Sequence, residues 1–311
     1  MIDDFVKEFL DDLVEDDFDL RDKDYIVPKI QHQGGVDDWG VVELPAGLKL
    51  EMVHIEAGTF MMGSDKNSWG HCQDNDYRND LPRKEAKLNA FWISKYMVTN
   101  EQYNAVMENR RGTQEGFGNE PNYPVLIHET TFAYGFCQRL NRIFANQLPE
   151  GYHFNFPTEI QWEYACKAGT DTPFNNGKDV KKGMFGLTNN SAEILDEVGW
   201  YGGSTGFTKG NAGGMLHPVG QKAPNAWGLY DMHGNAFELV WPRYDDKGMR
   251  KLEKSFLKTR GGHYKFPPNC CRSARRWSFF QEYGAAIRLA LVKKWSVSGE
   301  VFDGRRAPKV H

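Results

Sequence analysis

Cysteine is scarce in this chain, and its scarcity argues against a fold held by disulfide bonds or by zinc. The 311 residues include only 5 cysteines, an odd number, and none has the paired spacing of a zinc site or a disulfide framework. We therefore expect reduced and buried thiols. Cys270 and Cys271 are neighbours, and no bridge is expected between them because a disulfide between adjacent residues is strained.

Long apolar runs and an excess of basic residues are also missing. No stretch is apolar enough to cross a bilayer, and the first residues lack the pattern of a signal peptide. The formal net charge is -4, so no basic field attracts nucleic acid and none is expected as a partner. The compartment stays open. The cell surface or secretion is favoured if a signal or lipoprotein segment has been removed, and the cytoplasm otherwise.

Aromatic residues, glycine and proline are plentiful. Phe, Trp and Tyr make up 14% of the chain, and 32 glycines and 14 prolines predict a loop-rich architecture. Residues 1–47 are acidic and form a predicted N-terminal extension, followed by one domain over 48–311. In the extension, a short amphipathic helix is predicted from the helical spacing of Phe5, Phe9, Leu10 and Leu13.

Local patterns predict a few short elements. Thr158 can cap a helix, with Gln161 as the reciprocal partner of a capping box. Residues 169–228 are rich in Gly, Asn and Ser and show little periodicity. The other predicted elements are two strands within 52–63, a strand within 90–98, a helix over 100–107 capped by Thr99 or Asn100, and a helix over 130–144.

Several motifs, in order between Lys49 and Val292, resemble the formylglycine-generating-enzyme (sulfatase-modifying-factor) superfamily. They are EAGTFMMG at 56–63, VTNEQY at 98–103, FPTEIQWEYA at 156–165, NAWGLYDMHGN at 225–235, and the Arg260-Gly261-Gly262 and Arg288 positions. The resemblance implies an α+β, C-type-lectin-like fold of the formylglycine-generating-enzyme type, with short antiparallel strands, two main helices and little regular structure.

The same resemblance implies a test for catalysis. Formylglycine-generating enzymes bind copper through two cysteines spaced C-x4-C after the Arg-Gly-Gly motif. Counted from Arg260, the second cysteine position falls on Cys271, but the first falls on Phe266, which cannot ligate a metal. Cys270 does not replace it, since adjacent residues point apart in extended chain. We therefore expect no catalytic residues.

The segment from about 260 to 291 is more similar to the variable region of proteins diversified by a retroelement, in which miscopied template adenines change some codons inside a fixed framework. Aromatic side chains between two rigid flanks suit a binding surface, the alternative being that they are core. The resemblance implies that varied positions contact the ligand. Candidates for contact are His263, Tyr264, Phe266, Pro267, Pro268, Asn269, Ser278, Phe279, Phe280 and Tyr283. The framework would comprise Arg260, Gly261, Gly262, Arg272, Arg275, Trp277 and Arg288, with Arg272, Arg275 and Arg276 stacking on aromatics or binding carboxylates.

Asn235 and Glu238 correspond to the motif in which the superfamily binds a structural calcium, the one cofactor that the resemblance implies. Amide and carboxylate oxygens suit this ion. However, Phe237 and Leu239 replace the motif's tryptophans. The alternative is a turn in which both side chains bond to the backbone.

The function predicted from the sequence is that of a non-catalytic, receptor-like protein. Its ligand would be a protein or another cell-surface molecule. One alternative is a divergent oxidase of the formylglycine-generating type, or a related enzyme that uses Cys271 alone. The other is a structural or regulatory module of a larger assembly, docked through the acidic N-terminal helix.

Overall fold

A computed structural model describes residues 30, 38–65, 68–69, 80, 83–108, 119–181, 190–203, 210–241 and 257–293. The predicted N-terminal helix lies outside these residues, as does Cys72. The described residues form twelve short strands and four helices. In chain order these are β1 (Val41–Glu43), β2 (Lys49–Ile55), β3 (Gly58–Met62), β4 (Lys84–Leu88), β5 (Phe91–Ser94), α1 (Asn100–Met107), α2 (Thr130–Ile143), β6 (Tyr152–Asn155), α3 (Glu159–Lys167), α4 (Ser191–Asp196), β7 (Gly199–Trp200), β8 (His233–Gly234), β9 (Glu238–Val240), β10 (Lys258–Arg260), β11 (Trp277–Ser278) and β12 (Ala290–Lys293).

A five-stranded antiparallel sheet forms the centre of the fold, in the order β1-β2-β5-β12-β6. The last strand of the chain, β12, therefore lies between β5 and β6. Leu291 packs into one hydrophobic cluster with Phe136 of α2, while Ala290 and Val292 pack into another with Trp162 of α3. Because neighbouring residues of a strand point to opposite faces, both faces of the sheet are covered. The short antiparallel strands and separate helices confirm the predicted α+β class.

Two helices begin where their local sequence predicts. Thr99 caps α1 and Thr158 caps α3, and each hydroxyl accepts from the backbone N–H of a glutamine that returns a bond to the cap. Such a box satisfies amide groups that a helix start leaves without partners. The predicted strands are also found, although the strand predicted within 90–98 is only four residues long. The short helix α4 was missed within 169–228, because six residues are too few to show a period.

The end of the predicted extension packs on the domain. Strand β1 pairs with β2, and Trp39 is 1% exposed against the rings of Phe144 and Phe154. Cys137, Cys166, Cys270 and Cys271 are buried thiols, which confirms that prediction for four of the cysteines. None of the helices in the described ranges has the length and apolar character needed to cross a membrane.

Candidate ligand-binding surface

The segment 260–291, called the binding segment below, is held by a sheet at each end. It leaves β10, the middle strand of a three-stranded sheet ordered β11-β10-β9, and it ends in a strand of the five-stranded sheet. Its second end is strand β12 of the five-stranded sheet, between β5 and β6. Between the two ends it forms a 3-10 turn over Pro268–Cys271 and returns through β11 to pair with β10. Both ends are therefore fixed by backbone hydrogen bonds.

Two glycines turn the chain out of β10. Gly261 and Gly262 have φ angles of +89° and +85°, a region that other residues rarely adopt. At Gly262 a β-carbon would lie 2.6 Å from Cys271 Sγ and 2.8 Å from Cys271 Cα, whereas at Gly261 the nearest atom would be 3.4 Å away on Trp162. The second glycine thus permits the 3-10 turn to pack directly on the chain.

We expect Gly262→Ala to destabilise the protein more than Gly261→Ala. Both substitutions place alanine at positive φ, at a cost of roughly 1–2 kcal/mol. Only the first also forces a β-carbon into Cys271, which adds a steric cost on the order of 1–3 kcal/mol. Urea unfolding of the two variants measures the difference, since the backbone term is shared. Equal free energies of unfolding would contradict the packing argument.

Arg260 joins the binding segment to α3. Its guanidinium is fully buried, with Nη2 2.9 Å from Glu163 and Nε 3.4 Å from Glu159, and Nη1 donates to the carbonyl of Ser273. Arg276 donates twice to Glu159, at 2.7 Å each. The two glutamates lie four residues apart and share one helix face. Buried charges need such partners, so these pairs hold the segment against the helix.

The other framework cations are also used inside the fold. Nη2 of Arg272 lies 2.8 Å from Asp80, and its Nε donates to the carbonyl of Asn269. The guanidinium of Arg275 lies 4.7 Å from the ring centre of Trp277. Both kinds of contact expected from the sequence occur, stacking on an aromatic and binding of a carboxylate. The arginines of the segment therefore stabilise its conformation through contacts inside the fold.

Arg288 fixes the far end of the segment. It is fully buried and donates to both oxygens of Glu238, at 2.7 and 2.8 Å. It also donates to the carbonyls of Ser94, Lys95 and Tyr230. The indole N–H of Trp162 donates to the same carboxylate.

The donors predicted for calcium are engaged by the protein. Asn235 Oδ1 accepts from the backbone N–H of His217, and its Nδ2 donates to the carbonyl of the same residue, both at 3.0 Å. Glu238 accepts from Arg288 and Trp162. Asn235 thus bonds to the backbone, as expected for a turn without calcium, whereas Glu238 pairs with side chains. A divalent cation would have to share this carboxylate with a guanidinium, so these residues do not fit calcium.

Removal of calcium is accordingly expected to leave the melting temperature unchanged. A ligand that binds only the folded state raises stability by mass action, so chelation would lower the melting temperature if the ion were bound. The measurement is a thermal unfolding curve in EDTA, compared with one in excess calcium. A higher melting temperature in calcium would mean that the site exists.

Eight of the ten predicted contact residues are at least partly exposed. The structure places the other two, His263 and Pro268, beneath the surface. His263 is 1% exposed because its ring is stacked between Tyr264 at 4.2 Å and Phe237 at 5.2 Å. Pro268 is buried as the first residue of the 3-10 turn. In this conformation these two side chains support the surface instead of contacting a ligand.

Half-exposed rings form the surface itself. Tyr264, Phe266, Phe280 and Tyr283 are called the aromatic patch below. The Phe266 ring centre lies 5.3 Å from that of Tyr283, which is 6.4 Å from Phe280. Buried rings of Phe237 and Trp277 lie directly beneath, 5.5 and 5.3 Å from Phe266. The patch therefore has a tightly packed aromatic support.

Sequence reasoning missed a cation at the patch. The ammonium of Lys265 lies 5.4 Å from the ring centre of Tyr264 and 5.9 Å from that of Tyr283. The available signal was its position between Tyr264 and Phe266. His128, from another part of the chain, accompanies the patch with Nδ1 2.7 Å from the carbonyl of Gln281. Nothing in the local sequence predicts that contact.

The positions of the superfamily's cysteine pair hold a ring and a buried thiol. Phe266 packs in the aromatic layer, and Cys271 is fully buried with Sγ 3.8 Å from the carbonyl of Pro267. Burial is the main cause that raises the pKa of the Cys271 thiol, so the thiol is protonated at neutral pH. A thiolate is the form that binds copper.

The chain is thus an α+β domain with an ordered, aromatic loop that buried ion pairs hold against the fold. A model of the Sulfatase-modifying factor enzyme 1-like domain matches residues 42–287, and the chain belongs to this family. Serine/threonine-protein kinase pkn1 of Chlamydia pneumoniae is 26% identical over 214 residues, which cover 65% of this chain and 29% of the relative. Chaperone protein LppX of Paenibacillus barcinonensis is 26% identical over 227 residues, or 61% of this chain and 71% of the relative. This chain therefore spans less than a third of the length of the kinase relative.

Two solved structures have a similar fold. Treponema denticola variable protein 1 has a TM-score of 0.56 at 20% identity and covers 80% of this chain and 97% of its own. PvdO from Pseudomonas aeruginosa has a TM-score of 0.55 at 23% identity, covering 78% and 94%. With the family match, they identify the fold as C-type-lectin-like, of the formylglycine-generating-enzyme type.

Proposed function

We propose that this chain is a non-catalytic binding protein and that its aromatic patch contacts a protein or another cell-surface ligand. One observation carries the proposal: four neighbouring rings are half exposed, yet packed on a buried aromatic layer. Rigid aromatic side chains give much contact area at little entropic cost, and such residues dominate the energetics of interfaces.

The framework supports this proposal because it is independent of the exposed side chains. Arg260, Arg272 and Arg288 are each buried and paired with a carboxylate, and each lies within or at the edge of the binding segment. Substitutions among the exposed rings would leave these pairs in place. A surface of this construction tolerates changes in its contact residues better than one whose contact residues also hold the fold.

We further propose that the exposed positions vary between copies of the gene. One structure of this fold is named a variable protein, and we carry that property to this chain. Sequencing the gene in sister isolates, and the DNA beside it for a near-copy of codons 260–291 and a reverse transcriptase, tests the idea. Variation is expected at Tyr264, Phe266, Pro267, Asn269, Ser278, Phe279, Phe280 and Tyr283, with Arg260, Arg272 and Arg288 fixed. Identical codons in all isolates, or changes spread evenly over both groups, would refute diversification.

The enzyme alternative is separated by its metal and its chemistry. With Phe266 at the first cysteine position, we propose that the chain has lost the copper pair of its family. The purified protein is then expected to hold no stoichiometric copper or iron and to consume no oxygen with added thiol. Oxygen consumption or bound metal that is lost in Cys271→Ser would favour a divergent enzyme.

A binder of this kind would act at the cell surface or after secretion, and we propose that location for this protein. Protease treatment of intact cells, followed by detection of the chain, tests it. The alternative of a module docked through its acidic N-terminus predicts a change of oligomeric state when residues 1–37 are deleted, which sedimentation measures.

A further inference from the structure

We propose that the aromatic patch recognises a carboxylate of its ligand, with the buried imidazole of His263 as hydrogen-bond donor and Lys265 as the opposite charge. This inference rests on the proposed function and names the chemistry that the surface would read. It assigns a role to His263 although the residue is buried, because its ring contacts three rings of the patch, those of Tyr264, Phe266 and Tyr283.

His263 holds an N–H group that has no hydrogen-bond partner in the described part of the chain. Its Nδ1 accepts from the backbone N–H of Lys265 at 3.3 Å, so Nε2 carries the proton of the neutral ring. Nε2 is buried and has no hydrogen-bond partner among the residues that the structure describes. Burial first, and then the charge of Lys265, lower the pKa of His263 to about 3, so the ring is uncharged at neutral pH. A buried donor without a partner costs stability.

Two tyrosines of the patch pack against the imidazole ring of His263. The rings of Tyr264 and Tyr283 lie 4.2 and 5.6 Å from the imidazole, and both are half exposed. Lys265 lies over the same two rings, at 5.4 and 5.9 Å. The buried imidazole and the exposed ammonium are thus both neighbours of the same two tyrosine rings. A carboxylate reaches the buried N–H only when these two partly exposed rings change rotamer.

A carboxylate can bind both the N–H donor of His263 and the positive charge of Lys265. It can accept the hydrogen bond from His263 with one oxygen and pair with Lys265 through its charge, and charge-assisted bonds are stronger than neutral ones. A neutral acceptor would use only the imidazole, and a cation would be repelled by Lys265. The nearby Glu282 interacts with the hydroxyl of Tyr283, which raises the pKa of that tyrosine.

Benzoate is the probe, because it joins a carboxylate to a ring that can stack on the patch, and benzyl alcohol is its neutral counterpart. Binding to the full chain is followed by the imidazole nitrogen signals of His263 in NMR titrations. Benzoate is expected to bind and to shift these signals, and benzyl alcohol to bind at least tenfold more weakly, since a hydrogen bond to a charged group is worth that much.

Two variants separate the contributions. His263→Phe keeps a stacked ring but removes the N–H, and Lys265→Gln keeps the length but removes the charge. Each should weaken benzoate binding about tenfold or more, while His263→Phe unfolds no more easily than the parent chain. No benzoate binding at the highest soluble concentration, or undiminished binding in His263→Phe, would overturn the inference.

The probes and the codon comparison together separate a loss of carboxylate recognition from a loss of the binding function. If both probes bind equally, and Phe280→Ala with Tyr283→Ala abolishes both, the patch is a binding surface without carboxylate selectivity. If neither probe binds and the exposed codons are identical between isolates, the binding function itself fails.

Discussion

Replacement of Arg288 by leucine is expected to lower the free energy of unfolding by about 3–5 kcal/mol, the usual cost of breaking a buried ion pair. Both Arg288 and Glu238 are fully buried, and the pair is bidentate. The substitution leaves Glu238 charged in the interior with the indole of Trp162 as its remaining hydrogen-bond donor in the described structure. It also removes the donor shared by the carbonyls of Ser94, Lys95 and Tyr230.

The measurement is urea unfolding followed by tryptophan fluorescence, with Arg83→Leu as the matched control. Arg83 also pairs with two carboxylates, Asp65 and Asp171, but its side chain is 27% exposed and both partners are more than half exposed. Exposed pairs contribute at most about 1 kcal/mol, so the control should change little. Adding Glu238→Gln to Arg288→Leu should recover part of the loss, because the amide carries no buried charge. Equal losses in the two single variants would show that burial does not govern these pairs.

Acid is expected to destabilise the fold below about pH 6, because two buried histidines stay uncharged in it. Burial lowers the pKa of His233 to about 4 and that of His263 to about 3, from an ordinary value of 6.5. His233 is held as a neutral ring, with Nδ1 2.7 Å from the carbonyl of Cys271 and Nε2 accepting from the N–H of Asn175. Above pH 6.5 neither state binds these protons. Below it the unfolded chain binds two protons that the fold does not, so stability falls with pH.

Asp231 acts in the opposite direction. Burial raises the pKa of this carboxyl from 3.8 to about 6, so the folded state takes up its proton first as the pH falls. That uptake stabilises the fold between these two values and offsets one of the two histidines. For these three groups together the difference is about one proton between pH 6 and pH 4, which corresponds to roughly 1.4 kcal/mol of stability lost per pH unit.

Urea unfolding at a series of pH values from 7 to 4 checks this prediction. His263→Phe should remove about one proton from the difference and make the profile nearly flat, whereas Asp231→Asn should steepen it by about one proton. A profile of His263→Phe that parallels the parent chain would mean that this ring already titrates normally in the fold. That result would also weaken the case for a buried N–H beneath the aromatic patch.

The predictable parts of the fold depend on short stretches of chain. The caps at Thr99 and Thr158 need only the four residues of a capping box, and both form as predicted. Helix α2 follows from the four-residue spacing of Phe132, Phe136 and Leu140. The order of motifs along the chain was enough to indicate the family and with it the α+β fold.

The site was only partly predictable, because its residues are defined by distant contacts. The rings of the binding segment look alike in the sequence, yet Tyr264 is half exposed while its neighbour His263 is buried against Phe237. The partners of the arginines lie far away in sequence, as with Glu163 for Arg260. No pattern within the segment identifies them.

The sequence by itself determined the family and the caps, because motifs and helix starts are local, and it supplied the segment that we propose as the binding surface. Tertiary structure decided which side chains of that segment face solvent, that Asn235 and Glu238 are engaged by His217 and Arg288, and that Lys265 joins two tyrosines. Burial and charge pairing depend on elements that the fold brings together from opposite ends of the chain. The physical reason is that burial and pairing are set by three-dimensional neighbours, which the residues adjacent in sequence do not specify.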